Sequence, residues 1–206
     1  MIIDNISVIR PLLKFKEGVF YFIQVIQRQK DNPDLYKSDV KRYQCFITSL
    51  QDFDFHIDRI KKECSDWNAR AYISLIPRSL EKLSKLCLLE YAKRVSKGEY
   101  KRAWDIPNRL ALSDEARMSG VYSKPWRLFD VDDTKDTEKI KESCREVGIK
   151  VTAEIQTKTG VHLLVEAYNP KDLEKKFTKS GEDYYSSVGR FTLRLDCNTI
   201  LYACFR

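Results

Sequence analysis

Apolar and polar positions divide the first half of the chain into short β-type and α-type runs. Residues 19–28 read Val-Phe-Tyr-Phe-Ile-Gln-Val-Ile-Gln-Arg, rich in β-branched and aromatic side chains, which predicts a strand. Lys30-Asp31-Asn32-Pro33-Asp34 has the composition of a turn. A second strand-like run covers 43–50. Over 52–65, Phe53, Ile57, Ile60 and Cys64 recur at helical spacing with charges between them. Residues 71–76 predict a strand closed by Pro77. Ser79 then stands where it can cap a helix whose apolar stripe is Leu80, Leu83, Leu86, Cys87 and Tyr91, ending near Lys97-Gly98. Segment 99–124 has the weakest pattern and reads as a connection with one short helix around 108–118.

The second half has a clearer rhythm. Strand 126–131 leads to a helix at 136–147, stopped by Gly148. Strand 149–156, the turn Thr157-Lys158-Thr159-Gly160 and strand 161–167 follow. Asn169-Pro170 breaks that strand, 171–177 predicts a short helix, 181–189 a loop, and 191–205 strand, folded as a hairpin near Cys197-Asn198. The order β-α-β-β-α-β is that of a ferredoxin-like, or RRM-like, unit. The expectation is therefore a mixed α/β (α+β) protein: an N-terminal α/β module over 1–118 packed against an RRM-like module over 119–206, forming one unit. No internal repeat or low-complexity tract interrupts it.

Composition narrows the class. Of 206 residues, 43% are hydrophobic and 33% charged, a balance that supports a packed core and excludes a disordered chain. No apolar run approaches the roughly 20 residues that span a bilayer, and the start lacks the basic and apolar regions of a secretory signal. A cytoplasmic protein without a membrane partner is the expectation. The six cysteines are scattered with no C-x-x-C pair, so they read as small buried hydrophobes rather than a disulfide framework or zinc knuckle. The formal charge of +7 is a modest excess of 37 basic over 30 acidic residues, and leans toward a polyanionic partner.

Three places carry candidate chemistry. Near the end of strand 126–131, alternation puts Asp130 and Asp132 on one face and Val131 on the other. Paired carboxylates joined by a third, Asp196, from another strand would suit hard divalent cations, two of which can clamp a phosphoryl transfer. His162 opens the next strand but one. The turn before it offers the hydroxyls of Thr157 and Thr159 and the ammonium of Lys158, donors suited to a triphosphate. Each has a plainer reading: Asp130 and Asp132 as solvated loop residues with Asp133 or Asp136 capping the next helix, His162 as a hydrogen-bonded core histidine, Asp196 as an edge residue. Arg70, Arg78, Lys82 and Lys85 could form a basic track with Tyr72 or Trp67 stacking on bases, or a solvated face over core aromatics. Arg190, Tyr184 and Tyr185 could border the cleft or lie in a surface loop.

Asp130-Val131-Asp132, then Thr157-Lys158-Thr159-Gly160-Val161-His162, then Leu195-Asp196, resembles the motif series of the archaeo-eukaryotic primase superfamily, with threonine where that family often has serine. The resemblance covers about 124–206. It implies that Asp130, Asp132 and Asp196 hold two Mg²⁺ or Mn²⁺ ions, and that His162, Lys158, Thr157 and Thr159 bind the incoming nucleotide. It further implies template-directed joining of NTPs or dNTPs on single-stranded DNA, a replicative helicase or primase subunit as partner, and a phage or plasmid setting. Two other readings stay open. One is a non-catalytic primase-like subunit that binds single strands. The other is a different metal-dependent phosphoryl-transfer enzyme, such as a replication-initiator nuclease, for which Val161-His162-Leu163 lacks the usual second histidine.

Overall fold

A computed structural model describes residues 1–118, 126–168, 191–194 and 197–205. The strands are β1 (Ile2–Asp4), β2 (Val19–Ile26), β3 (Arg42–Ile47), β4 (Arg70–Ser74), β5 (Arg78–Ser79), β6 (Trp126–Val131), β7 (Val151–Gln156), β8 (Val161–Glu166), β9 (Thr192–Arg194) and β10 (Asn198–Cys204). The helices are α1 (Ile6–Ile9), α2 (Leu50–Trp67), α3 (Leu80–Ser96), α4 (Ile106–Leu110) and α5 (Thr137–Glu146). Among the described residues they form a mixed α/β protein with two antiparallel sheets. The first runs β1-β10-β4-β2-β3, with β5 also paired to β2, and the second runs β7-β8-β6-β9. No helix of the described residues is long and apolar enough to cross a membrane.

Local chemistry accounts for the element boundaries. The Ser49 hydroxyl accepts the Asp52 amide at the start of α2, and the Ser79 hydroxyl accepts the Lys82 amide at the start of α3. Each satisfies one of the amides a helix leaves unpaired. Helix α2 ends at Asn68 in the left-handed region, a conformation asparagine tolerates better than most residues.

Strand β2 is buried on both faces, and its alternation sorts the core into two layers. Phe20 and Phe22 join Leu83, Cys87 and Ile106 beneath α3 and α4. Tyr21, Ile23 and Val25 join Phe53, Ile60 and Cys64 of α2, and the same core takes in Leu128, Ile155 and Leu164 of the second sheet. The opposite face of the second sheet, with Phe129, Val131, Leu163 and Val165, lies against Ile140 and Cys144 of α5. None of the six cysteines is in a disulfide; burial pushes the Cys45 and Cys64 thiols up to about 12, so these two behave as apolar side chains.

Two features depart from the sequence expectation. Residues 191–205 form no hairpin: β9 pairs with β6, whereas β10 pairs with β1 and β4 in the other sheet. The chain changes sheet at Cys197, which takes a positive φ of 45°. Strand β10 has a run of five buried residues, which suits a central position better than the edge of a hairpin. The sheets therefore do not divide at 118/119, because the last strand completes the first sheet. Buried Asn5 sews the two halves together. Its side-chain amide donates to the Gln156 and Ile200 carbonyls and accepts the Gln156 amide.

Candidate functional site at the seam of the two sheets

Asp130 stands in β6 directly opposite His162 in β8, in the register that also pairs Val131 with Val161. Both belong to the face turned toward the first sheet, since their neighbours Phe129, Val131, Leu163 and Val165 face α5. His162 Nε2 lies 3.2 Å from Asp130 Oδ1, with the histidine side chain 6% and the aspartate 28% exposed. On the other side of the ring, Nδ1 is 2.8 Å from the hydroxyl of buried Thr199 in β10. A carboxylate only accepts, so in the neutral ring the proton belongs on Nε2 and Nδ1 accepts from the threonine hydroxyl. A carboxylate, an imidazole and a hydroxyl thus run in series from the mouth of the seam into the first sheet. Thr199 was not singled out from sequence; no local pattern distinguishes it from other strand threonines.

Asp132 follows β6 and is exposed, next to the site's opening. Asp133 accepts the Lys135 amide at 3.0 Å, which is the capping role considered for it. The turn at 157–160 is held against the end of β6. Gly160 is buried so close to the Val131 and Asp132 carbonyls that an added Cβ would collide with both. Within the turn, the Thr157 hydroxyl accepts the Gly160 amide at 3.0 Å, leaving its own O–H able to donate. Thr159 is exposed. The close approach at Gly160 is what brings the Thr/Lys turn to the aspartates.

Lys158, though exposed, is engaged by the fold. Its ammonium is 3.1 Å from Asp31 Oδ1 and 4.5 Å from the centre of the Phe205 ring. Arg70 grips the same carboxylate with two bonds of 2.7 Å and also lies over Phe205. The Asp31 side chain is 1% exposed. Burial alone would raise its pKa, but the hydrogen bonds and charges of Arg70 and Lys158 outweigh that and hold it below its ordinary 3.8. Because the folded-state value is the lower one, this carboxylate stabilises the fold above pH 3.8 and ceases to do so as pH falls through its folded value. The stability gap between wild type and Asp31→Asn, measured by urea unfolding, is therefore expected to shrink as pH drops below about 4. At neutral pH, Arg70→Ala is expected to cost about 3 kcal/mol, because a buried carboxylate loses its bidentate partner. A gap that does not change with pH would separate Asp31 from this role.

The proposed basic track is not assembled on one surface. Arg70 is tied to Asp31. Arg78 is 1% exposed and donates to the Ser113 carbonyl, and Lys82 donates to the Arg117 carbonyl at 2.9 Å. The latter two hold segment 113–117 against α3. Tyr72 receives a hydrogen bond from Arg28 at 3.0 Å, and the Lys41 ammonium lies 5.8 Å from the Trp67 ring centre. The Tyr43 hydroxyl lies 2.8 Å from His56 Nδ1. Asp196, Arg190, Tyr184, Tyr185 and the helix expected at 171–177 lie outside the described residues. In the described part of β9, Thr192 is opposite Asp130 and Arg194 opposite Leu128, while the Cys197 thiol meets the Trp126 carbonyl. Among the described residues, no group of three or more His, Cys, Asp or Glu side chains could hold a metal ion.

Compared with known proteins, the chain matches no family model, no curated protein and no solved structure.

Proposed function

We propose that the chain is a template-directed nucleotidyltransferase of the primase-polymerase kind, joining NTPs or dNTPs on single-stranded DNA. The observation that carries this reading is the convergence of Asp130 and His162, 32 positions apart in sequence, as facing partners at the mouth of the seam. The strand order β7-β8-β6-β9, with α5 between β6 and β7, supports an RRM-like module. The half-exposed Asp130 and exposed Asp132 offer an all-oxygen donor set of the kind Mg²⁺ and Mn²⁺ take with substrate phosphates. Asp196 would complete it under the primase resemblance. Divalent ions held there would supply the activation of a 3′ hydroxyl and the neutralisation of a departing pyrophosphate.

The chain's own side chains have separable tasks in this reading. Asp130 and Asp132 concentrate negative charge where cations are needed. His162, held from behind by Thr199, presents Nε2 toward whatever replaces it as Asp130's neighbour. The Thr157 hydroxyl and the Lys158 ammonium donate to the triphosphate, Lys158 exchanging Asp31 for phosphate oxygens. The 3′ oxygen forms its bond to the α-phosphorus as the bond to pyrophosphate breaks, and the hydroxyl proton leaves to solvent.

A second reading draws on one specific observation. Both ring nitrogens of His162 and the ammonium of Lys158 already have protein partners, as in a structural seam. A non-catalytic single-strand-binding subunit would need nothing more. Incorporation of labelled NTPs and dNTPs on single-stranded DNA, with Mg²⁺ or Mn²⁺ and with or without primer, separates the two. Metal-dependent extension is the expected result. Oligonucleotide binding without incorporation under either metal would establish the second reading instead.

A further inference from the structure

We infer that single-stranded nucleic acid docks on the end of α3 and the turn after it, a surface built from Tyr100, Trp104, Lys93, Lys97, Lys101 and Arg102. This inference rests on the proposed function for its choice of a single strand as ligand, but not on catalysis at Asp130. Three observations converge there.

First, Tyr100 and Trp104 are 67% and 75% exposed, although both are large aromatic side chains that folding ordinarily hides. Neither is in ring contact with another aromatic side chain of the described residues. Second, the four cations are exposed; Lys93 shares the field of the Glu90 carboxylate with Arg94. Some other cations of the helical surface are committed, as in Arg94 with Glu90 and Lys141 with Glu138 and Glu154. Third, the backbone brings these groups together. Lys93 and Lys97 are one helical turn apart. Gly98 at φ 68° then reverses the chain, the Glu99 amide returns to the Arg94 carbonyl, and Arg94 donates to the Lys101 carbonyl. Arg102 takes a left-handed φ of 59°, unusual for a residue with a long side chain, at the start of the short 3-10 turn that carries Trp104. The backbone thereby gathers the aromatic residues and cations at the end of α3 and in the turn after it.

Aromatic platforms among exposed cations suit a single strand, since every base has a face to stack and every nucleotide a charge to neutralise. The exposed aromatic rings favour a single strand over a bilayer. Leu83 and Cys87 of α3 are buried against Phe20 and Phe22, but Leu88, Leu89 and Val95 stay exposed, so recruitment to an anionic vesicle is the outcome that would overturn this choice. This surface takes the place of the Arg70, Arg78 and Lys82 track, whose cations are occupied within the fold.

The test is fluorescence anisotropy of a labelled oligo-dT of about 20 nucleotides, in EDTA, over a salt series. The proteins are wild type, Tyr100→Ala/Trp104→Ala, Lys97→Ala/Lys101→Ala/Arg102→Ala, and the remote charge control Lys62→Ala/Arg145→Ala. The aromatic pair is expected to weaken binding tenfold or more, by roughly the loss of one or two stacked bases. The cation triple is expected to lower the salt slope by about 2. The control should bind as wild type does. Circular dichroism checks that the exposed substitutions leave the fold intact. Equal loss in the control, unchanged binding by both test variants, or no binding by wild type would overturn the inference. So would recruitment to phosphatidylserine vesicles in place of the oligonucleotide. A failed synthesis assay with these losses intact would remove the catalytic reading alone.

Discussion

Asp130→Asn is expected to lower metal-dependent nucleotide incorporation by about 10³-fold while changing unfolding stability by no more than about 1 kcal/mol. The substitution keeps the shape and one oxygen of the side chain, so the asparagine carbonyl can still face His162 Nε2, and the histidine keeps Thr199 behind it. What disappears is the negative charge. If that charge serves only the histidine, its loss is a modest structural perturbation. If it holds a cation that neutralises the reacting phosphates, several kcal/mol of transition-state stabilisation go with it, and each 1.36 kcal/mol is a factor of ten. Asp130→Ala is a different experiment, because it also strips a nearly buried imidazole of a partner and costs about 1–3 kcal/mol of stability. Comparing the two variants separates the metal from the fold. Wild-type turnover by Asp130→Asn would end the assignment, whatever the alanine variant does.

That pair was legible in the sequence because its logic is local. Strand alternation puts Asp130 opposite in sense to Phe129 and Val131, and His162 opposite to Val161 and Leu163, and each strand declares itself by its apolar run. Strand β2, helix α2, helix α3 with its Ser79 cap and the stop at Gly148 were readable for the same reason; the Ser49 cap of α2 was not singled out. Long-range polar pairing was not. Asp31 sits in what reads as an ordinary turn, 39 residues from Arg70 and 127 from Lys158, and nothing near it signals that both cations will close on its carboxylate. Arg78 looks like a surface base because arginines usually are; its burial follows from the carbonyl of Ser113, supplied by a segment with little pattern of its own. A break near Cys197-Asn198 was legible, but not that the two strands it separates serve different sheets: β9 pairs with β6, and β10 lies between β1 and β4. Exposed Trp104 and Tyr100 were equally silent, since in sequence they are indistinguishable from core aromatics.

Gly160→Ala is expected to destabilise the protein by about 3 kcal/mol or more, at the upper end of what overpacking costs. A Cβ at this position would fall inside contact distance of the Val131 carbonyl oxygen and 2.9 Å from both the Val131 carbonyl carbon and the Asp132 oxygen. Every one of these atoms is backbone, so no rotamer change can relieve the overlap. Either the turn at 157–160 lifts away from the end of β6, or β6 shifts. Both responses strain the pairing of Val131 with Val161, one residue from the Asp130–His162 contact. Flexibility is not the reason for glycine here, because Gly160 is not among the positive-φ residues; the demand is for space. Exposed Thr159→Ala, one position earlier, is expected to change stability by less than about 0.5 kcal/mol and controls for the turn itself. The consequence reaches the site. Lifting the turn moves Thr157 and Lys158 away from Asp132, so residual folded Gly160→Ala protein should show weakened nucleotide binding and a further loss of synthesis. Urea unfolding followed by circular dichroism reads the first effect, and nucleotide titration of the folded fraction reads the second. A midpoint equal to wild type would mean that the turn is not clamped to β6, and the proximity of the Thr/Lys turn to the aspartates would lose its structural basis.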